Sequence, residues 1–424
     1  AEELGSAWRQ CSRSPGGEEV LAPRHTAFAL LLLEQRSPGS AWAPWVSMLP
    51  KAFDGFPLFY SEEELQGLQA SPLRRVAELD RDSVAHDHGV AARGWPELGL
   101  EDFRWARAAV KSRVFGLRSL SGGALREEVI AMVPLADFVN HPPDGLVEAN
   151  VAPFYDAASG AFRLTATRAI GQGEGLYWDY GFGANRNSLM RYGFASKGRV
   201  GLTDMPLFFN LTAFPDPLED STRLKKDLIA KAQQSGGLSM ELEGTVMHEL
   251  SLTLMASAAE RLLGHMRFMV FYPRNASVLE DFCPNTYCRP IGLQNERLAL
   301  KHLASLLEAL YKSYNTSVDE DRALVEGGAW ASEGPRWHTL LVRYGEKMLL
   351  RGFMRLLQAL ETLFDLSPWA LARSVSEHWN STTSDIHRYV QQNLTTLVEL
   401  ETMRWAKRRV KEERTRSQRS TGFA

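Results

Sequence analysis

The chain has 424 residues, 44% of them hydrophobic and 23% charged, the make-up of a globular protein too long for one ordinary core, so two or three domains are expected. A formal net charge of -3 gives no global pull toward nucleic acid or acidic lipid, and no nucleic-acid partner is expected. The longest apolar runs, such as Phe28 to Leu33, fall far short of a membrane span, so no transmembrane helix is predicted.

The chain opens Ala1-Glu2-Glu3 with no charged-then-apolar leader, which reads as a processed chain or a fragment. Three cysteines make no disulfide framework: Cys283 and Cys288 in CPNTYC could bridge or stay free, and Cys11 would remain unpaired. Five N-x-[ST] sequons, at Asn210, Asn275, Asn315, Asn380 and Asn393, occur among eleven asparagines, which permits a secretory history without requiring one.

Residues 1–24 have little periodicity and read as an irregular lead-in. Arg24 to Gln35 has the length and apolar content of a buried helix, stopped by Ser37-Pro38-Gly39. Ser61 with Glu64 spells a capping box, which predicts a helix running to about Gln69. Further helices are expected at Ser71 to Val84 and Leu100 to Ser112, so residues 25–115 read as mainly helical. From Glu128 the pattern changes: EVIAMVPLADFVNH is short and rich in branched side chains, suited to a strand and turn. Asn150 to Tyr155 and Ala161 to Thr167 flank a hairpin signal around Ser159-Gly160. After Phe214, leucine-rich amphipathic segments predict helices at 221–235, 239–264, 294–313, 318–326, 335–363, 367–373 and 384–405. The basic end, 406–424, reads as a helix fraying into a solvated tail.

Two polar constellations stand out. Asp137, Asn140 and His141 close an apolar run and are stopped by Pro142-Pro143. Forty residues on, Tyr180-Gly181, Asn185 and Tyr192-Gly193-Phe194 form an aromatic turn whose glycines would let a backbone approach a ligand or a neighbouring strand. His86-Asp87-His88 reads as a solvated polar loop, because no further ligands at metal spacing follow, and no metal site is expected. The Gly171 to Gly175 stretch lacks the Gly-Lys-Ser/Thr of a phosphate loop.

PLADFVNH followed by GEGLYWDYG and RYGF resembles the second half of a SET domain of the Rubisco large-subunit methyltransferase type. Upstream, WARAAVKSRVF from Trp105 to Phe115 resembles that family's W-A-x-x-x-V-x-S-R-x-F, and SAWAPWVSMLPKAF with FYSEEELQGLQAS resembles its helical insert. Downstream, the helical run from Asn295 to Val325 and VRYGEKMLLRGFM are similar to its substrate-binding domain, so the resemblance covers about residues 25–365. It implies an α+β fold, a SET-domain β-fold with a helical insert followed by an all-α substrate-binding domain. The boundaries would be an insert at 25–115, an active-site part at 116–214 and a helical domain at 215–405 that binds a protein substrate. A monomer is expected.

The resemblance further implies S-adenosyl-L-methionine as cofactor and N-methylation of a protein lysine. Tyr180 would be the catalytic tyrosine at the junction of amine and methyl. Arg113 would reach the cofactor's carboxylate, Asn140 and His141 would make polar contacts to it, and Asp137 would brace their turn. Tyr192 and Phe194, with Phe115, would line the substrate channel. Relatives acting on histidine carry Asn and Trp where this chain has Phe115 and Ala136, which favours lysine over a histidine-directed alternative. The family's opening G-x-G-type strand pair is matched only by GEEVL at Gly17 to Leu21, so a catalytically silent, protein-binding scaffold is the rival reading. By resemblance plastid, cytoplasm and nucleus all fit, and the sequons leave a secretory route open.

Overall fold

The computed structural model describes residues 20–366 apart from 128, 144–147, 182, 216–217, 239–244, 251–256, 274 and 329–333; beyond 366 it describes Ala370, Arg373, Asn393, Leu397 and Val398. The lead-in before residue 20, the basic tail, and all but those five residues of the helices expected at 367–373 and 384–405 lie outside the described residues. These residues divide into two units, one running to Thr203 and joined by Val318–Gly345, the other made of Asp204–Ser317 and residues from Glu346 on.

In the first unit, helix α1 (Pro23–Glu34) begins with a proline at its first position, where the missing N–H costs nothing. Helices α2 (Ala43–Met48) and α3 (Glu62–Gln66) follow. The expected capping box is formed: the Ser61 hydroxyl accepts from Glu64 N, and the Glu64 carboxylate accepts from Ser61 N. This helix stops at Gln66 instead of Gln69, where the backbone turns to a positive φ of 57°. Helices α4 (Pro72–Ala92) and α5 (Leu100–Arg113) complete a helical layer whose core joins Leu30, Val46, Phe53, Val84, Phe103 and Val110.

Helix α4 corrects the sequence expectation at His86-Asp87-His88. These residues continue the helix instead of forming a loop, and Asp87 is fully buried. Its carboxylate accepts from Arg107 at 2.7 Å, from the Thr26 hydroxyl at 2.8 Å, and from the backbone N–H groups of Leu21 and Ala22 just ahead of α1. A carboxylate from a neighbouring helix thus satisfies the exposed donors of a helix start that carries no cap of its own. Only the acidic residue's environment reveals this, since HDH by itself looks solvated.

Strand β1 (Val114–Gly116) runs antiparallel to β2 (Ile130–Met132), with Phe115 opposite Ala131. A short helix α6 (Leu117–Leu120) lies between them. The predicted hairpin is present as β3 (Val151–Asp156) and β4 (Ala161–Ala166), paired from Val151↔Ala166 to Asp156↔Ala161. Helix α7 (Asn185–Tyr192) corrects the aromatic turn: the segment is helical and ends at Gly193, which takes the left-handed φ of 79° usual for a helix C-terminus.

The second unit carries β5 (Met205–Asn210), α8 (Glu219–Gln234), β6 (Thr245–Leu250), α9 (Ser257–Met269), α10 (Ala276–Phe282) and α11 (Leu293–Ser313). Helix α12 (Val318–Gly327) returns to the first unit, and α13 (Pro335–Phe364) contributes residues to both. The helix expected over 239–264 is corrected, and with it the all-helical description. Residues Thr245–Leu250 pair with β5 as an antiparallel strand, because Val246, His248 and Leu250 are buried while Met247 is exposed, a period of two. Cys283 and Cys288 are disulfide-bonded and both fully buried. Among the described residues no helix is long and apolar enough to cross a membrane.

His248 Nε2 and His265 Nδ1 meet at 2.6 Å inside this unit, one ring donating and the other accepting. Burial lowers His248 to about 4 and His265 to about 3 from the ordinary 6.5. Each imidazole therefore takes up a proton more readily when unfolded, so the pair's contribution is complete above about pH 6.5 and is lost as pH falls from there toward the folded values.

Two outcomes follow. Asp87→Ala should destabilise the first unit by about 3–5 kcal/mol, read as a lowered urea midpoint, because it strands the buried Arg107 guanidinium. Stability of the wild-type chain should decline between pH 6.5 and 4, and His265→Phe should flatten that slope in denaturation curves taken across the same range.

Candidate active site

Where α5 gives way to β1, Arg113 and Phe115 are delivered by consecutive elements. The Arg113 side chain is 14% exposed, and its Nε lies 3.8 Å from Asp137 Oδ2, whose side chain is fully buried. One guanidinium nitrogen donates to the Ser112 hydroxyl at 2.8 Å, and the group sits 5.6 Å from the Phe53 ring centre. Asp137 Oδ2 also accepts from the Trp45 indole N–H at 3.1 Å. Burial pushes the Asp137 carboxyl up, opposed by the Trp45 bond and Arg113, and burial pushes the Arg113 guanidinium down, opposed by Asp137 and Tyr180. Arg113 Nε and Asp137 Oδ1 are both buried without a hydrogen-bond partner. Such atoms are rare in folded proteins and mark places where water or a ligand completes the bonding.

The two constellations of the sequence run side by side. Asn140 bridges Tyr177 in parallel, and Trp178 N donates to Asn140 O at 3.1 Å. The Tyr180 hydroxyl donates to the Val139 carbonyl at 2.9 Å, and Tyr180 N approaches His141 Nδ1 at 3.4 Å. The Asn140 side chain itself is exposed.

Asn150, fully buried at the head of β3, organises this crossing. Its carboxamide oxygen accepts from Tyr177 N at 2.8 Å while its nitrogen donates to Gly175 O at 2.8 Å. Sequence reasoning missed it, because an asparagine next to a strand reads as an ordinary boundary residue.

Tyr180 lies in an aromatic cluster. Its ring centre is 4.5 Å from Tyr192, 4.9 Å from Trp178 and 5.5 Å from His141, and His141 stacks on Phe194 at 6.0 Å. Burial, then the neighbouring Tyr192, pushes the Tyr180 phenol up to about 12, and burial raises Tyr192 as well. Both hydroxyls therefore keep their protons at neutral pH. Phe115, 5% exposed, stacks on Trp178 at 5.6 Å and meets Phe162 edge-on at 4.9 Å, so it belongs to the small core beneath the cluster.

Asn185 stands apart from the rings. Buried at the start of α7, it exchanges two hydrogen bonds with Ser196, at 2.8 and 2.9 Å, and so fixes the chain's return after Phe194. Gly193 closes α7 against Gly55: a Cβ on Gly55 would meet the Gly193 carbonyl at 2.1 Å. The glycine of this motif thus serves a close approach of two backbones.

The structure brings Asn140, His141, Tyr180, Tyr192 and Phe194 into one group and Arg113 with Asp137 into another, with Phe115 joined through Trp178. The electrostatic influence of Arg113 on Tyr180 links the two groups. Trp45 and Trp178 are participants that the sequence reading did not assign; only packing reveals them. No set of three or more His, Cys, Asp or Glu side chains among the described residues could hold a metal ion.

Comparison with known proteins bears on this geometry. Residues 218–350 match the Rubisco LSMT substrate-binding family. The chain is 25% identical over 373 residues to the pea chloroplastic Rubisco large-subunit N-methyltransferase, covering 83% of this chain and 68% of that one. It is 24% identical to the Arabidopsis thaliana chloroplastic fructose-bisphosphate aldolase lysine N-methyltransferase over 84% of this chain and 73% of that one. It is also 27% identical to the mouse actin-histidine N-methyltransferase, over 76% of this chain and 53% of that one. The solved SET domain of LSMT bound to methyllysine and AdoHcy superposes with a TM-score of 0.65 at 22% identity, covering 90% of this chain and 83% of that one. The chain therefore shares the α+β fold of the solved SET domain of LSMT, and its residues 218–350 match the Rubisco LSMT substrate-binding family.

Proposed function

We propose that this chain is an S-adenosyl-L-methionine-dependent protein N-methyltransferase acting on a lysine side chain. The observation that carries the proposal is the Tyr180 hydroxyl, tied to the Val139 carbonyl within an aromatic cluster and coupled to a buried, incompletely bonded Arg113–Asp137 pair. The named relatives are protein N-methyltransferases, which supports the same reading.

The residues present fit the cofactor. An unsatisfied guanidinium N–H suits a carboxylate and an unsatisfied carboxylate oxygen suits an ammonium, the two charges of an amino acid end. Arg113 and Asp137 would hold that end, and the exposed carboxamide of Asn140 and the ring of His141 would supply further polar contacts. When bound, S-adenosyl-L-methionine supplies an electrophilic methyl group on a sulfonium.

The chain's own contribution is alignment and exclusion of water. An amine attacks only as the free base, and the rings of Tyr180, Tyr192 and Phe194 disfavour the charged ammonium by desolvation while tolerating a methylated cation. With its phenol pushed up to about 12 and its proton donated to the Val139 carbonyl, Tyr180 acts as an oriented acceptor and dipole, not as a base. Phe115 and Ala136 favour lysine. Histidine is the second reading, supported by the actin-histidine N-methyltransferases among the relatives. A protein substrate would be held by the region matching the substrate-binding family, residues 218–350, with the chain acting as a monomer.

Calorimetric titration should register cofactor binding at micromolar to millimolar concentration; no heat and no thermal shift at millimolar cofactor would make the chain a silent scaffold. Arg113→Gln should weaken that binding roughly tenfold to a hundredfold, the loss of one hydrogen bond to a charged group. Tyr180→Phe should lower turnover about a hundredfold or more while changing cofactor affinity little; unchanged turnover removes Tyr180 from its role. Mass spectrometry of methylated peptides separates lysine from histidine.

A further inference from the structure

We propose that the second unit is N-glycosylated at Asn210, Asn275 and Asn315 and matures in a compartment that also oxidises Cys283 and Cys288. Methyl transfer makes no use of these residues, and the inference stands apart from the function proposed above. All three asparagines are exposed. None is followed by proline: Leu211, Ala276 and Thr316 occupy the middle positions, with Thr212, Ser277 and Ser317 completing the sequons.

Two of the sequons share one local geometry. Asn210 ends β5, and its carboxamide oxygen accepts from the Thr212 hydroxyl at 2.7 Å and from Thr212 N at 2.9 Å. Asn275 caps α10, and its oxygen accepts from the Ser277 hydroxyl at 2.9 Å and from Val278 N at 3.0 Å. In both, the hydroxyl two residues on polarises the carboxamide through its oxygen and leaves the nitrogen, the atom that carries a glycan, outside these bonds. The modification forms a bond from this nitrogen to the anomeric carbon of an oligosaccharide carried on a lipid pyrophosphate. The carbon's bond to the pyrophosphate oxygen breaks, the lipid pyrophosphate leaves, and the nitrogen gives up one proton. A bulky, hydrated chain at either position would meet solvent.

Asn393 supplies the contrast. It is only partly exposed, and its carboxamide oxygen accepts at 3.0 Å from Arg267, whose guanidinium is buried in an ion pair with Glu296. A glycan there would have to pull the asparagine off a buried cation, so this sequon is assigned as unmodified.

The disulfide is an independent sign of the same compartment. Cys283 and Cys288 close the CPNTYC loop in the unit that bears the glycans, and Cys288 N donates to Gly264 O at 3.1 Å, tying the loop to α9. Disulfides persist where the surroundings are oxidising and are scarce where thiol reductants circulate.

The test uses the protein isolated from its native source with free thiols alkylated, then treated with peptide-N-glycosidase in oxygen-18 water and read by peptide mass spectrometry. The expected result is oxygen-18 aspartate at positions 210, 275 and 315, native asparagine at 393, and Cys283 and Cys288 without alkyl groups. Thr212→Ala and Ser277→Ala, which keep the asparagine, should each remove one glycan mass. Unlabelled asparagine at both 210 and 275, or alkylated Cys283 and Cys288, would overturn the proposal.

Discussion

The candidate site depends on one crossing: the segment ending in Asn140 lies parallel to Tyr177 and Trp178, and that pairing puts the Tyr180 hydroxyl on the Val139 carbonyl. Remove it and the aromatic cluster has no fixed partner. On the far side of Tyr177 the buried carboxamide of Asn150 takes one donor and one acceptor from the Gly175 to Tyr177 backbone, beside the backbone bonds of Asn150 N and Val151 N to Tyr177 O. Two further anchors fix the other side, Asn185 on Ser196 and the contact of Gly55 with Gly193.

Buried charge is used in two ways. Asp87 with Arg107, and Arg267 with Glu296, are bonded in short ion pairs, and their surroundings add further hydrogen bonds. These pairs hold helices together, since breaking either would strand a charge in a low-dielectric interior. Arg113 and Asp137 differ: they sit 3.8 Å apart, each with a buried polar atom unbonded. The protein completes its structural ion pairs and leaves this one with bonding capacity to spare.

The second unit carries its own chemistry. A disulfide and the exposed sequons at Asn275 and Asn315 lie within the residues that match the Rubisco LSMT substrate-binding family, and Asn210 lies just before them. Glycans there would shape which partners can approach, and the neutral, buried His248–His265 pair makes the same unit sensitive to acid.

Much of the site was legible in the sequence because its signals are local. PLADFVNH, the Ser112-Arg113 pair and the Tyr-Gly, Asn, Tyr-Gly-Phe spacing state which residue types are present and in what order, and the Ser61 capping box and the β3–β4 hairpin follow from rules spanning a few residues. What tertiary structure alone decided is environment. HDH belongs to a helix with Asp87 buried because Arg107 and the start of α1 surround its carboxylate, and TVMHEL is a strand because β5 lies beside it. Lys225 and Lys226 are neighbours of one type, yet the first is 1% exposed among Phe214, Phe268 and Tyr272 and the second is on the surface. Likewise Trp45, Trp178 and Asn150 join the candidate site only through contacts across long stretches of chain. Burial and partnership are properties of the packed molecule, and one sequence position specifies neither.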